Sequence, residues 1–149
     1  MNYLVDTNVL LRWVQRRAPE HPMARGAIKI LRGRGDQLVV TPQNLVELWS
    51  VATRPVAVNG VGKDPSWAER MAVRIERAFP LLPDIPAIHA EWRRLVALTG
   101  ARGRQVHDAR IAAVMRAHGV GHILTFNGGD FARYPGVVAV DPASLAAGP

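Results

Sequence analysis

Cysteine is absent from the sequence, which excludes disulfides and thiolate metal ligands and leaves oxygen and imidazole as donors for any ion. Such a donor set favours hard cations over zinc. The five histidines are scattered; only His118 and His122 are four apart, and Gly119 and Gly121 between them break any helix that would pair them. Lysine is nearly absent too: of 19 basic residues only Lys29 and Lys63 are lysine. Nor does any apolar run approach the ~20 residues needed to cross a bilayer. The start, Met1-Asn2-Tyr3-Leu4-Val5-Asp6, has neither a basic leader nor a cleavable apolar stretch. A cytoplasmic protein with no membrane partner is expected. Internal repeats and low-complexity segments are missing as well.

What remains is 149 residues, 48% of them hydrophobic, enough for one domain with a proper core and too short for two of ordinary size. The expectation is a single domain over residues 1–149. Net charge is +7, carried almost wholly by arginine, whose planar fork grips phosphate oxygens bidentately. That suits a polyanionic partner, nucleic acid above all, although arginine-rich usage also follows from the base composition of a genome. Arg12, Arg16 and Arg17 follow the Asp6 segment, while Arg102 and Arg104 flank Gly103 just before Asp108.

Strand and helix signals alternate along the chain. Met1 to Val5 reads as a buried strand, followed by a helix capped by Thr7 or Asn8 and carrying Val9, Leu10, Trp13 and Val14. A second helix is expected from about Met23 to Leu31, then a strand at Leu38-Val39-Val40. Thr41-Pro42 opens a helix in the preferred way, with Leu45, Leu48, Trp49 and Ala52 on its core face. Val56 to Pro65 has no periodicity and reads as a mobile loop. Ser66-Trp67-Ala68-Glu69 fits a capping box for a helix presenting Met71, Ile75 and Phe79. Leu81-Leu82-Pro83 reads as an edge strand. Helices from Pro86, with Ile88, Trp92, Leu95 and Leu98 at helical spacing, and from Gln105 to His118 follow. Strands at Ile123-Leu124-Thr125 and Val137 to Val140 come last, and Asp141 to Pro149 reads as frayed. The alternation implies an α/β domain, three layers α/β/α around a central parallel sheet. In such folds function gathers beyond the carboxyl ends of the strands.

Three acids interrupt or abut apolar runs: Asp6 in Leu4-Val5-Asp6-Thr7-Asn8-Val9-Leu10, Glu47 in Leu45-Val46-Glu47-Leu48-Trp49, and Asp108 before Ala109-Arg110-Ile111-Ala112-Ala113. A carboxylate at the edge of a core is costly unless its charge is compensated, and three from distant segments suggest a shared divalent cation. Taken singly, each has another explanation. Asp6 can be a helix N-cap, Glu47 a solvent-facing residue of an amphipathic helix, and Asp108 a cap or an ion-pair partner of Arg104 or Arg110. The metal reading rests on their joint occurrence. His107 is read as a neighbour of the site or a surface residue, and Trp13, Trp49, Trp67 and Trp92 as core or dimer contacts.

The Asp6 segment, Asn44-Leu45-Val46-Glu47-Leu48, His107-Asp108-Ala109-Arg110-Ile111-Ala112-Ala113 and Leu124-Thr125-Phe126-Asn127-Gly128-Gly129-Asp130-Phe131 resemble, in order, the signatures of a PIN domain. The resemblance spans nearly the whole chain and is closest to VapC-type toxins. It implies a Mg²⁺-dependent endoribonuclease, with Mn²⁺ as a possible substitute, acting on RNA, forming a homodimer and inhibited by a cognate antitoxin protein. By the same resemblance Asp6, Glu47 and Asp108 are the catalytic metal ligands, and Thr125 is a hydroxyl position beside them. Many relatives carry a further Asp directly after the Thr segment, where this chain has Asn127; its next acid is Asp130. Asn127 offers an amide oxygen without charge, and Asp130 can instead cap the turn before Phe131, which leaves open one ion or two. Arg102 and Arg104 are the expected RNA contacts.

Two rival readings remain. A phosphohydrolase of the haloacid dehalogenase type needs a second Asp two residues after the first, where this chain has Asn8, and a late Lys, whereas the last is Lys63. A response-regulator receiver fails on the same missing Lys. A non-catalytic nucleic-acid or protein-binding module on the same fold is opposed by the three intact acids.

Overall fold

The computed structural model describes residues 1–146. Its four short strands are β1 (Asn2–Val5), β2 (Gln37–Val39), β3 (His122–Leu124) and β4 (Val138–Val140), all parallel and ordered β2-β1-β3-β4. Seven helices accompany them: α1 (Thr7–Val14), α2 (His21–Gly33), α3 (Pro42–Thr53), α4 (Pro65–Ala78), α5 (Ala87–Thr99), α6 (Gln105–Ala117) and α7 (Pro142–Ala146). Because strand side chains alternate between faces, Tyr3, Val5, Leu38 and Leu124 pack into one core with α1, α2, α3 and α4. Leu4, Val39 and Ile123 pack into the other with α5 and α6. The result is the expected three-layer α/β/α sandwich.

Several boundaries differ from the sequence reading. Asp6 caps α1, not Thr7 or Asn8, its carboxylate accepting from the Thr7 N–H. Helix α2 starts at His21, earlier than expected, with Pro22 in its first turn. Helix α4 is capped by Asp64, two residues before Ser66, because Asp64 reaches the Trp67 N–H and places Pro65 at the first helical position. Leu81 makes only an isolated bridge to Val40, so Thr125 follows the third strand, not a fourth. On α5, Val96 joins the core and Leu98 is exposed. Pro142–Ala146 is helical where fraying was expected, and residues 147–149 of that expectation lie outside the described residues.

The segment read as a mobile loop is tied down. Its Val61, Gly62 and Lys63 N–H groups donate to Val51, Arg54 and Ala52 carbonyls at 2.9, 2.9 and 2.8 Å, folding it back on the end of α3. Gly60 permits this, since a Cβ there would lie 1.8 Å from the Arg54 carbonyl oxygen.

Candidate functional site

Strand order reverses direction between β1 and β3, so chain segments leaving these neighbours diverge and open a crevice at the carboxyl rim. Val5 pairs with Leu124. The next residues, Asp6 and Thr125, therefore emerge side by side at that crevice. Helices α1 and α3 leave the same rim, and α6, which leads into β3, starts there. Glu47 thus sits on the second turn of α3 and Asp108 on the first turn of α6.

All three acids line one cleft of about 510 Å³, together with Asn8, Arg54, Arg104, His107, Asn127 and Asp130. Asp6 is 9% exposed. Its Oδ1 accepts from the Thr7 N–H at 2.8 Å, and its Oδ2 accepts from Thr125 Oγ1 at 2.7 Å and Asn8 Nδ2 at 3.2 Å. Glu47 accepts from Thr7 Oγ1 at 2.9 Å and from Gln43 Nε2 at 2.8 Å. Buried Asn44 donates to Thr7 Oγ1 at 3.2 Å while forming a reciprocal cap with Thr41, so the start of α3 orients Thr7 and Thr7 orients Glu47. Gln43 also donates to the His107 carbonyl at 2.9 Å, which ties α3 to the first turn of α6.

The carboxylates feel one another. Burial pushes the Asp6 carboxyl up to about 6 against the lowering pull of its Thr125 and Thr7 hydrogen bonds, with Glu47 and Asp108 adding repulsion. Burial likewise raises Asp108 to about 6; Asp130 and Glu47 push the same way, while Arg104 and Arg133 oppose them. Neither expected partner pairs with Asp108 within ion-pair distance: Arg110 instead reaches Asp84 at 3.3 Å.

Of the other expected residues, Thr125 is buried against Asp6, and its Oγ1 also accepts from the Asn127 N–H at 3.0 Å. Asn127 and Asp130 both face the cleft, and no side-chain cap bond forms at the Gly128–Phe131 turn, so Asp130 is not its cap. Arg104 is on the cleft wall. Arg102 is exposed outside it, its backbone N–H held by Gln105 at 3.0 Å.

Sequence reasoning gave Thr7 and Asn8 only a capping role and passed over Gln43 and Arg54. The signal for the first two was their place directly after Asp6, where a helix beginning at the rim turns its first residues toward the site. Arg54 carried none, because the fold alone brings the end of α3 to the cleft.

Among the described residues no three His, Asp or Glu side chains stand close enough to enclose an ion. Asp6 and Glu47 are instead tied to neighbours of their own, and Asp108 accepts no hydrogen bond from the described residues. The all-oxygen donors suit a hydrated Mg²⁺-like cation, which keeps several waters and takes one or two carboxylates directly, better than a closed protein cage.

A family model for the PIN domain matches residues 3–137. The chain belongs to the PIN-domain family. This PIN domain is 33% identical over 124 residues to Ribonuclease VapC24 of Mycobacterium tuberculosis, covering 83% of this chain and 84% of that one. Its fold is similar to that of VapBC2 from Rickettsia felis, crystallised on a promoter DNA fragment, with TM-score 0.71, 14% identity and coverage of 95% of this chain and 98% of the other. It is also similar to a toxin-antitoxin complex from Klebsiella pneumoniae, with TM-score 0.62, 22% identity and coverage of 94% and 97%.

Proposed function

We propose that this PIN domain is an endoribonuclease, the toxin of a type II toxin-antitoxin pair, cleaving RNA phosphodiester bonds with Mg²⁺ or Mn²⁺. The reading rests on one observation: Asp6, Glu47 and Asp108, from three separated segments, share a cleft whose walls carry Arg54 and Arg104. Kinship with a ribonuclease over most of the chain supports the same conclusion.

Asp6, Glu47 and Asp108 would hold the cation, which when bound supplies a polarised phosphoryl group and a water of lowered pKa. The chain's own groups do the rest. Thr125, Thr7 and Asn8 fix the Asp6 carboxylate, while Thr7 and Gln43 fix Glu47, so these two acids are oriented before substrate arrives. Arg54 and Arg104 supply forked donors for phosphate oxygens and offset the charge of the backbone. Asn127 and Asp130 stand at the same cleft as auxiliary oxygen donors. A cognate antitoxin and a symmetric second copy of the chain are its protein partners in this reading, and its setting is the cytoplasm.

The test is cleavage of a single-stranded RNA by the purified chain. Activity should need Mg²⁺ or Mn²⁺, vanish in EDTA, and fall at least ~100-fold in Asp6→Asn, Glu47→Gln and Asp108→Asn, each with an unchanged far-ultraviolet circular dichroism spectrum. Wild-type turnover by Asp6→Asn, or full activity in EDTA, would overturn the assignment.

A further inference from the structure

The acid cleft does not end at the acids. Asn8, Leu11 and Val51 are shared with a hollow of about 490 Å³ that also takes in Arg12, Gln15 and Val61. At Gln15 this meets a hollow of about 530 Å³, which at Arg16 and Arg74 meets another of about 620 Å³. Asn8 and Leu11 lie on successive turns of one face of α1 and Gln15 follows at its C-terminal end, so the four spaces form a trench along that helix and past its end. Over Asn8 to Val14 it runs about 9 Å at 1.5 Å per residue.

The far half of the trench has one sign of charge. Arg16, Arg17, Lys63 and Arg74 line its nearer part, and Arg25, Lys29 and Arg32 its outer part. No carboxylate lines either hollow, and none of these cations has an ion-pair partner among the described residues. Seven of the chain's 19 basic residues, both lysines included, are gathered here, so the net charge of the molecule is concentrated on one surface. Two aromatic rings stiffen it. The Arg74 guanidinium lies 4.7 Å from the Trp13 ring centre and the Lys63 ammonium 5.8 Å from that of Trp67, which positions the cationic heads in advance of any ligand.

We propose that this trench is the path of the RNA backbone on one side of the scissile bond, with flanking phosphates held by Arg16, Arg17, Lys63 and Arg74 and more distant ones by Arg25 and Lys29. The proposal rests on the ribonuclease reading, since a strand whose scissile phosphate sits at the acids must leave the cleft along an open route. A trench that starts at the acids and turns basic provides one. At one charge per 3.4 Å or more of strand, its α1 portion accommodates roughly two nucleotides.

The experiment compares two double variants with equal loss of charge: Arg25→Ala/Lys29→Ala in the trench, and Arg93→Ala/Arg94→Ala on α5 across the sheet. Binding of a fluorescent 20-nucleotide unstructured RNA is followed by anisotropy in EDTA over a KCl series. The trench variant should lose about 1.4 from the slope of log Kd against log salt, two contacts at roughly 0.7 each on a single strand, and bind about tenfold more weakly at 100 mM KCl. The α5 variant should match wild type. Arg16→Ala/Arg17→Ala is a second trench pair with the same expectation, should the first fail to fold.

Equal slopes in all these proteins would overturn the proposal, and if the wild type still cleaved RNA with Mg²⁺, the ribonuclease reading would stand. A slope lost only by the trench variants, with no cleavage by the wild type, would support the RNA path and overturn the nuclease. Unaltered RNA binding with lost binding of polyglutamate would mean that the trench takes an acidic protein segment, which also overturns it.

Discussion

Asp6 serves as helix cap and cleft acid at once: one carboxylate oxygen accepts from the first helical N–H, and the other faces Thr125 and Asn8. In the sequence these roles compete, but a helix that starts at the strand rim puts its cap in the site. Asp108 has no such hydrogen bonds, so its charge is the better probe of the cluster. Its carboxyl is raised from 3.8 to about 6 by burial and by Asp130 and Glu47, so between those pH values the folded chain holds a proton that the unfolded chain has released. Stability therefore falls as pH rises through that window and stays reduced above it. Asp108→Asn should melt higher than wild type at pH 7 in EDTA, by about 1 kcal/mol once partial exposure and solvent screening are discounted. The gain should fade toward pH 4. Added Mg²⁺ should stabilise wild type more than the variant and narrow the gap. Paired melting curves at the two pH values check this, and a destabilised variant indifferent to Mg²⁺ would remove Asp108 from the metal site.

At the scale of elements, the strongest departure from expectation is the 56–64 connection. It lacks periodicity because it is a short turn at Val56–Val58 followed by a stretch, Val61 to Lys63, whose N–H groups bond to the end of α3, and a loop fastened through its backbone leaves no pattern of apolar side chains. It is fastened where Arg54 and Val51 line the cleft, so fixing it also fixes that wall. Gly60→Ala should cost about 1–3 kcal/mol, because its methyl group would meet the Arg54 carbonyl and the backbone would have to shift. Differential scanning calorimetry should record a Tm lowered by roughly 2–10 °C. An unchanged Tm would show that the loop yields freely, as a mobile lid would.

The whole molecule leaves apolar side chains in water: Val46, Val56 and Leu98 are each at least 60% exposed, and Val46 is next to Glu47 on α3. Covering side chains of this kind is what a symmetric pair would gain. Light scattering at micromolar concentration should give about twice the chain mass of 16.3 kDa. A mass near 16.3 kDa would reject association.

The α/β/α architecture, most of the element order and the three acids as candidates were legible in the amino-acid sequence, because each depends on local pattern: buried runs, helical spacing, Thr41-Pro42 as a helix start, and carboxylates set against apolar residues; the Leu81-Leu82-Pro83 strand and the fraying over Pro142–Ala146 were misread. Caps were less legible, since Asp6 and Asp64 compete with neighbouring Thr, Asn and Ser for the same role and the chain geometry chooses among them. Only the tertiary structure decided that β1 lies beside β3. That pairing joins Asp6 to Thr125 across 119 positions and opens the cleft. The tertiary structure also brought Arg16, just after α1, and Arg25 on α2 to Lys63 and Arg74 on one surface. Charge has no periodicity of its own, so residues that repel in sequence become a binding surface only when packed helices hold them side by side.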